Sequence, residues 1–368
     1  MESAPSSETT WITALGAVTS VGLDAATTCA SIRAGIARPT ELEGHESMDY
    51  LEYALTPTVG HVVPDLARGF STVGRWLLLA AAAIEDLCAS AELPTPEANP
   101  EFWRATTCFL VVPEIETKRF GRDPYCAESK LGTTFRDPLA ERVAQVFAPA
   151  RTTVLAKGRS GVLEVMHSLR WQTDTVQRCI IVATDSLTDI PSLCWLEDAR
   201  TLRNDMNPVG LSPGEASVAL MLEAPRAAAV RRVRAQSVLH SVAIGLDPER
   251  TSGKGPGGIG LSQATAAVLN QSSLQEHGTA CFVADLNGEE WRARELAYAQ
   301  QRVGHDRWDS AGAMMPVTST GDLGTAMPAL QVAVATLALQ RGYAGGSSAL
   351  VTSSDSAGRV GAAVLGSA

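Results

Sequence analysis

The stretch LAKGRSGVLEVMHSL, residues 155–169, is the first place where residue types and spacing suggest chemistry. An apolar run, Thr152 to Ala156, enters the turn Lys157-Gly158-Arg159-Ser160-Gly161. A helix-spaced apolar series follows through Val162, Val165, Met166 and Leu169. A strand that breaks at a tight turn onto a helix N-terminus presents free backbone N–H groups and a dipole that favours a developing anion. Acyl-transferring enzymes commonly hold their nucleophile at such an elbow, yet the tip here is a glycine, which has no lone pair to offer. Ser160 lies two residues further on and is expected to satisfy a free N–H of the first turn rather than to attack. The flanking Lys157 and Arg159 either meet an anion or point at solvent. A second cluster is HGTAC at 277–281, where a thiol stands near an imidazole. Cys281 would need a thiolate to act as a nucleophile, and a small buried apolar role suits it better.

The elements that must position these groups alternate along the chain. WITALGAVTSVG (11–22) reads as a strand and glycine turn, and DAATTCASIRAGI (24–36) as an amphipathic helix with Asp24 at its N-cap. The spacing predicts a buried helix over 71–90, a β run over 105–112, a helix over 137–147 and a buried strand over 177–186. This alternation argues α/β. CIIVATDS (179–186) and ALVTSSDS (349–356) are near-duplicates about 170 residues apart, each followed by an apolar segment, GEASVALMLE or GRVGAAVLGS. Two similar halves are expected, 1–228 and 229–368.

Composition narrows the function classes. The 368 residues are 45% hydrophobic and carry a formal net charge of -10, which argues against nucleic acid or an anionic membrane as the main partner. Arg226, Arg231, Arg232 and Arg234 form the local exception. They are a solvated edge or a landing patch for an acidic carrier. Seven scattered cysteines without C-x-x-C pairs indicate neither a disulfide framework nor a zinc site. No metal and no cofactor is expected. The opening MESAPSSETT lacks the basic start and apolar core of a signal peptide, so the expected location is cytoplasmic. DPERTSGKGPGGIG (247–260) lacks phosphate-loop spacing and reads as a mobile surface loop.

Taken in order, these segments resemble the β-ketoacyl synthase family within the thiolase-like fold. The resemblance spans most of the chain. It rests on the opening strand and Gly turn, on the region 180–223 with Gly210, Gly214 and Glu215, on EHGTACFVADLNGEE (276–290) and on STGDLGTAMPALQVAVATLAL (319–339). It implies a five-layered αβαβα sandwich of two pseudo-symmetric halves, usually a homodimer, with an active site where the halves meet. The family's cysteine attacks an acyl thioester carried on an acyl carrier protein or coenzyme A. Two histidines then support a decarboxylative condensation.

Carried over residue by residue, the cysteine position falls on Gly158 and the first histidine on His277. The second histidine position holds Asp322, an anion where a neutral donor would stabilise an enolate. The family's nearby lysine falls on Val317 or Thr318, and its glycine-rich gate on Asp355, Ser356, Ala357 and Gly358, without the phenylalanine. Asp285 matches a structural aspartate. Gly158, Ser160, Thr279, Cys281 and Ser356 are expected to line the substrate pocket. Losses at such positions lower rates by orders of magnitude. The leading expectation is therefore a catalytically degenerate, non-condensing protein that binds, scaffolds or partners, as a homodimer or as a heterodimer with a ketosynthase-like protein. The alternative is an acyltransferase or thioesterase in which His277 and Asp322 form a dyad acting on acyl thioesters.

Overall fold

The computed structural model describes residues 9–49, 52–143, 151–169, 177–253, 255, 257–271, 280–308 and 312–368. Its strands are β1 (Thr10–Thr19), β2 (Thr40–Asp49), β3 (Ala54–Gly60), β4 (Thr106–Val112), β5 (Thr152–Ala156), β6 (Arg178–Ser186), β7 (Glu215–Glu223), β8 (Ser237–Leu246), β9 (Cys281–Val283), β10 (Ser348–Ser354) and β11 (Arg359–Gly366). Nine of them share one hydrogen-bonded order, β5-β4-β6-β7-β1-β8-β11-β10-β9, while β2 and β3 form a separate ribbon.

The order repeats itself about the β1–β8 junction. Reading outward, one arm runs β1-β7-β6-β4-β5 and the other β8-β11-β10-β9. Both begin with antiparallel pairs and end with parallel ones. A parallel bridge from Val283 to Met314 stands where the second arm's counterpart of β5 would be. The sequence echo is thereby explained: CIIVATDS is β6 and ALVTSSDS is β10, the equivalent strand of the other arm. The two arms touch through only three β1–β8 rungs, Thr10–Leu239, Trp11–Val238 and Ile12–Ser237. The expected two sheets are thus joined at this one seam.

Helices fill both sides of each arm. The helix Thr72–Ser90 buries Trp76, Leu79, Ala80, Ala83, Ile84 and Leu87 against Ala14, Leu110, Ile180 and Met221 on the outer face of the first arm. The helices Gly161–Ser168 and Met327–Gln340 lie in the core shared by the facing sides of both arms, with Ile181, Leu220, Val351 and Leu365. The helices Ile259–Gln271 and Glu290–Val303 cover the outer face of the second arm around Phe282, Leu350 and Val364. This is the five-layered αβαβα arrangement. Met327–Gln340 is the central layer's longest element, apolar on every side, and all but its last residue are buried.

Local expectations fare unevenly. Asp24 caps the helix Ala25–Arg33 through the N–H of Thr27, as its position implies. The helix expected over 137–147 is shorter, Asp137–Arg142, and residues 144–150 lie outside the described ones. The segment 247–260 is anchored at both ends, since the buried Asp247 carboxylate accepts from the N–H groups of Glu249, Arg250 and Gly260, while residues 254 and 256 between them lie outside the described ones. Arg231 is not part of a solvated edge. It turns inward, with Arg178, onto the fully buried Glu223, and both guanidiniums lie over the Phe102 ring.

Close contact between layers depends on one missing side chain in β1. A Cβ on Gly16 would stand 2.1 Å from the Ala83 carbonyl oxygen and 2.5 Å from the Leu87 nitrogen. Neither backbone atom can move without displacing the buried helix. Gly16→Ala is expected to cost about 3 kcal/mol, the upper range for overpacking, measured as the shift of a urea unfolding curve. A loss below about 1 kcal/mol would mean that the sheet-to-helix spacing is looser than described.

Candidate functional site

The strand-to-helix turn at Gly158 is tight and carries a glycine at its tip. β5 ends at Ala156, and Gly158–Ser160 make a single 3-10 turn into the helix Gly161–Ser168. Gly158 has φ +57°, the left-handed region that strains residues with a Cβ. Space is not the obstacle, since a Cβ there would meet nothing nearer than the Glu114 nitrogen at 3.6 Å. Backbone conformation, not crowding, is what favours glycine at this position.

The residue beside Gly158 goes inward. Arg159 is buried, and its guanidinium forks between two aspartates from the other half of the chain. Nη1 donates to Asp285 Oδ1 at 2.6 Å, and Nη2 makes a short contact with Asp322 Oδ1. Asp322 occupies the turn after the helix Val317–Thr320 and is 1% exposed. It also accepts from the Gly324 N–H at 2.8 Å and from Asn287 Nδ2 at 2.6 Å. Asp285, just past β9, uses its second oxygen for Arg292 Nη1 at 2.9 Å and the Ser354 N–H at 3.0 Å. Glu289 closes the cluster by accepting from Asn287 at 2.9 Å and from Arg292 at 3.3 Å.

Burial alone would raise the Asp322 pKa, but Arg159, Arg292, the Asn287 amide and the Gly324 N–H together hold it below the ordinary carboxylate value. For Arg159, burial works against the charge, and the two aspartates more than offset it, so its pKa lies above the usual one. Both groups are thus kept charged in the interior. Such a pair holds only while its partners remain.

Around the cluster opens a pocket of about 270 Å³, with Gly158, Arg159, Asp185, Asp322, Gly324 and Ser356 in its lining and Trp195 and Trp291 on its walls. Arg359 closes one side, bridging Glu114 Oε2 and Asp355 Oδ2 at 2.6 Å each. An ionic strap therefore stands beside the position where the resemblance places an aromatic gate. Asp185, at the end of β6, receives Arg119 at 2.7 Å and both the N–H and hydroxyl of Thr325. Gly324 must stay bare here, since a Cβ would fall 2.1 Å from Asp185 Oδ2.

The residues expected at the site separate into three groups. Gly158, Asp322 and Ser356 come together in the pocket. Ser160 and Cys281 do not line it. The Ser160 hydroxyl caps no N–H. It donates to Glu164 Oε1 at 2.7 Å and to the Lys157 carbonyl, and the residue faces a different groove beside Leu163 and Ile244. The helix is entered directly from a 3-10 turn, so the extended N-cap conformation that aims a hydroxyl at a free N–H is absent there. Cys281 is buried at the start of β9, and burial pushes its thiol up to about 11, which removes the thiolate a relocated nucleophile needs. His277 and Thr279 lie outside the described residues. Asp322 Oδ1 accepts from Arg159 and Gly324 and Oδ2 from Asn287, which leaves about one of a carboxylate's four acceptor sites open, and the other member of the expected dyad, His277, is among the residues not described. Arg292, Asn287 and Arg119 were not singled out from sequence. The alternation Asp285, Asn287, Glu289 within ADLNGEE was the available sign of a polar cluster.

Removing the cation tests the cluster. Arg159→Met is expected to cost about 3 kcal/mol or more, because it strands a buried carboxylate. The pH dependence follows from sign. With its pKa held below the ordinary carboxylate value, Asp322 contributes stability above that ordinary value and loses it as pH falls through the folded one. Without Arg159 the same carboxyl is buried and raised, so the variant's deficit is largest near neutrality and narrows on acidification. Urea midpoints of both proteins between about pH 4.5 and 8 read this directly, and a deficit that widens in acid contradicts it.

No protein-family model and no curated protein matches the chain. Solved structures do. A chain of the complex between a type II PKS acyl-carrier protein and its ketosynthase bound to the hexaketide aligns at TM-score 0.73 and 13% identity, over 98% of this chain and 100% of that one. A chain of the ishigamide ketosynthase/chain length factor aligns at 0.71 and 20%, over 97% and 99%. A chain of the Xenorhabdus doucetiae complex of a ketosynthase with its chain length factor aligns at 0.71 and 16%, over the whole of both chains. At such identities the likeness concerns architecture: the chain has the ketosynthase-like, thiolase-type fold.

Proposed function

We propose that this chain is a non-condensing, ketosynthase-like subunit that acts by partnering or scaffolding rather than by forming carbon–carbon bonds. The observation that carries this reading is the buried Arg159 fork beside an empty elbow. A condensing site needs a nucleophile where Gly158 stands and a neutral donor where Asp322 stands. Here the first has no side chain and the second is an anion neutralised by a cation from the elbow itself. A carboxylate held ionised opposes an enolate developing next to it.

The partner in this reading is a ketosynthase-like protein with an intact cysteine, in a complex that receives acyl groups from an acyl carrier protein. The similar structures support it by analogy, since they include ketosynthases solved with chain length factors and with a carrier protein. The architecture offers a place for a partner. β5 is the outermost strand of the sheet and pairs on one side with β4. No other described strand follows it in the sheet order, which supports strand addition from a second chain along Thr153–Ala156. Pairing with a second copy of this chain would use the same edge, and the experiment separates the two.

Co-expression with a ketosynthase-like protein bearing the cysteine, followed by native mass measurement, is expected to give a 1:1 heterodimer. Thr153 is exposed on β5; Thr153→Glu is expected to weaken that complex at least tenfold while leaving the isolated chain's unfolding midpoint unchanged. A chain that stays monomeric with every such partner, or a homodimer that excludes the partner, would overturn the reading.

A further inference from the structure

The ribbon of β2 and β3 carries a surface that the pocket and the sheet edge do not use. Its inner face is occupied. Leu42 joins Leu187, Leu193, Leu196, Leu202 and Leu211 in a small core. His45 accepts or donates to Thr58 at 2.8 Å and stands 3.5 Å from Glu197 on the helix Ile190–Asp198. The outer face is bare. Its rungs are Met48–Leu55, Glu46–Pro57 and Glu41–Val59, and Met48, Leu55 and Val59 are 40%, 57% and 46% exposed. Tyr53, at the connecting turn, is 87% exposed. A contiguous apolar row of this kind on a thin ribbon is unusual for a surface with no use.

The register breaks between Glu41 and Glu46, with Gly44 at φ +82° in the break. That bulge opens a groove of about 790 Å³, to which Leu55 and Pro57 give exposed apolar surface, with Glu41, Glu43 and Glu46 around it and the buried Leu42 and His45 beside Gly44 completing the lining. None of these three glutamates has a cationic partner among the described residues. Residues 39–60 contain five acidic side chains and neither lysine nor arginine. Apolar floor and single-sign rim occur together, and this combination selects the occupant.

We infer that this groove docks an extended, basic and apolar segment of another protein, with Lys or Arg side chains meeting Glu41, Glu43 and Glu46 and alkyl groups covering Leu55, Pro57 and Val59. Charge decides against the other occupants. A second copy would bring the same acidic rim face to face with this one, and an anionic lipid surface would be repelled.

The probe is a fluorescein-labelled nonapeptide of alternating lysine and valine, with a glutamate–valine peptide as its counterpart, followed by anisotropy. The lysine peptide is expected to bind saturably and the acidic one not at all. Binding is expected to weaken at least tenfold in Glu41→Lys/Glu43→Lys/Glu46→Lys. Leu55→Ser/Val59→Ser should weaken it as much, with fold checked by circular dichroism in each case. The same number of reversals elsewhere, at Glu97, Glu101 and Glu141, should leave it within twofold. Equal loss in that control, or no effect of the serine pair, would mean general attraction to an acidic protein and overturns the proposal, as does absence of binding. A change in the chain's own molecular mass in Leu55→Ser/Val59→Ser would assign the face to self-association and overturn it too.

Discussion

A buried arginine can be tolerated only where counter-charges reach it, and Arg159 sets that condition for the centre of this molecule. It comes from the turn between β5 and the following helix, in the first half of the chain. Both of its aspartates come from the second half. The fork is therefore a tie between halves whose own strand contact is three rungs long. Asn287, Arg292, Gly324 and Ser354 donate to the oxygens of the two aspartates, and Glu289 accepts in turn from Asn287 and Arg292. The cost of desolvating these charges is met only while the set is complete.

The same arrangement separates shape from chemistry. Left-handed Gly158, Gly324 of the glycine turn at 321–324, Asp185 near the end of β6 and Asp355 just past β10 shape the pocket. On the proposed reading the groups inside the pocket do not suit condensation: Asp322 is an anion, the Arg159 guanidinium neutralises it, and the Glu114–Arg359–Asp355 strap stands beside them. Stability and catalysis make opposing demands here. An ion pair satisfied by the protein itself has little left to offer a substrate, which suits a subunit whose contribution lies on its surfaces.

Much of the frame was legible in the sequence, for physical reasons. Strands buried on both faces show as continuous apolar runs, and duplicated strands keep the same residues because they occupy the same place, as CIIVATDS and ALVTSSDS do. A tight turn at Gly158 was legible because glycine marks a backbone that other residues resist, and the structure gives it φ +57°. The direction of Arg159 was not. A residue at the first turn of a helix has no periodic neighbour to fix its face, and its partners lie 126 and 163 positions away. Ser160 misled for a related reason, since hydroxyls cap helices only from an extended residue and this one is already helical. The β2–β3 ribbon was missed because its acidic and apolar residues alternate irregularly across a bulge. His277 and Thr279 lie outside the described residues, so their share of the site rests on sequence alone.

The measurement that bears most directly on the central claim is intact mass together with free-thiol release, after incubation with a panel of acyl-coenzyme A and acyl-carrier thioesters. A non-condensing subunit with Gly158 at its elbow and Asp322 locked to Arg159 is expected to show neither covalent adduct nor catalytic release while remaining folded. Turnover that disappears in His277→Ala, or an acyl adduct mapped to Cys281 or Ser160, would contradict it.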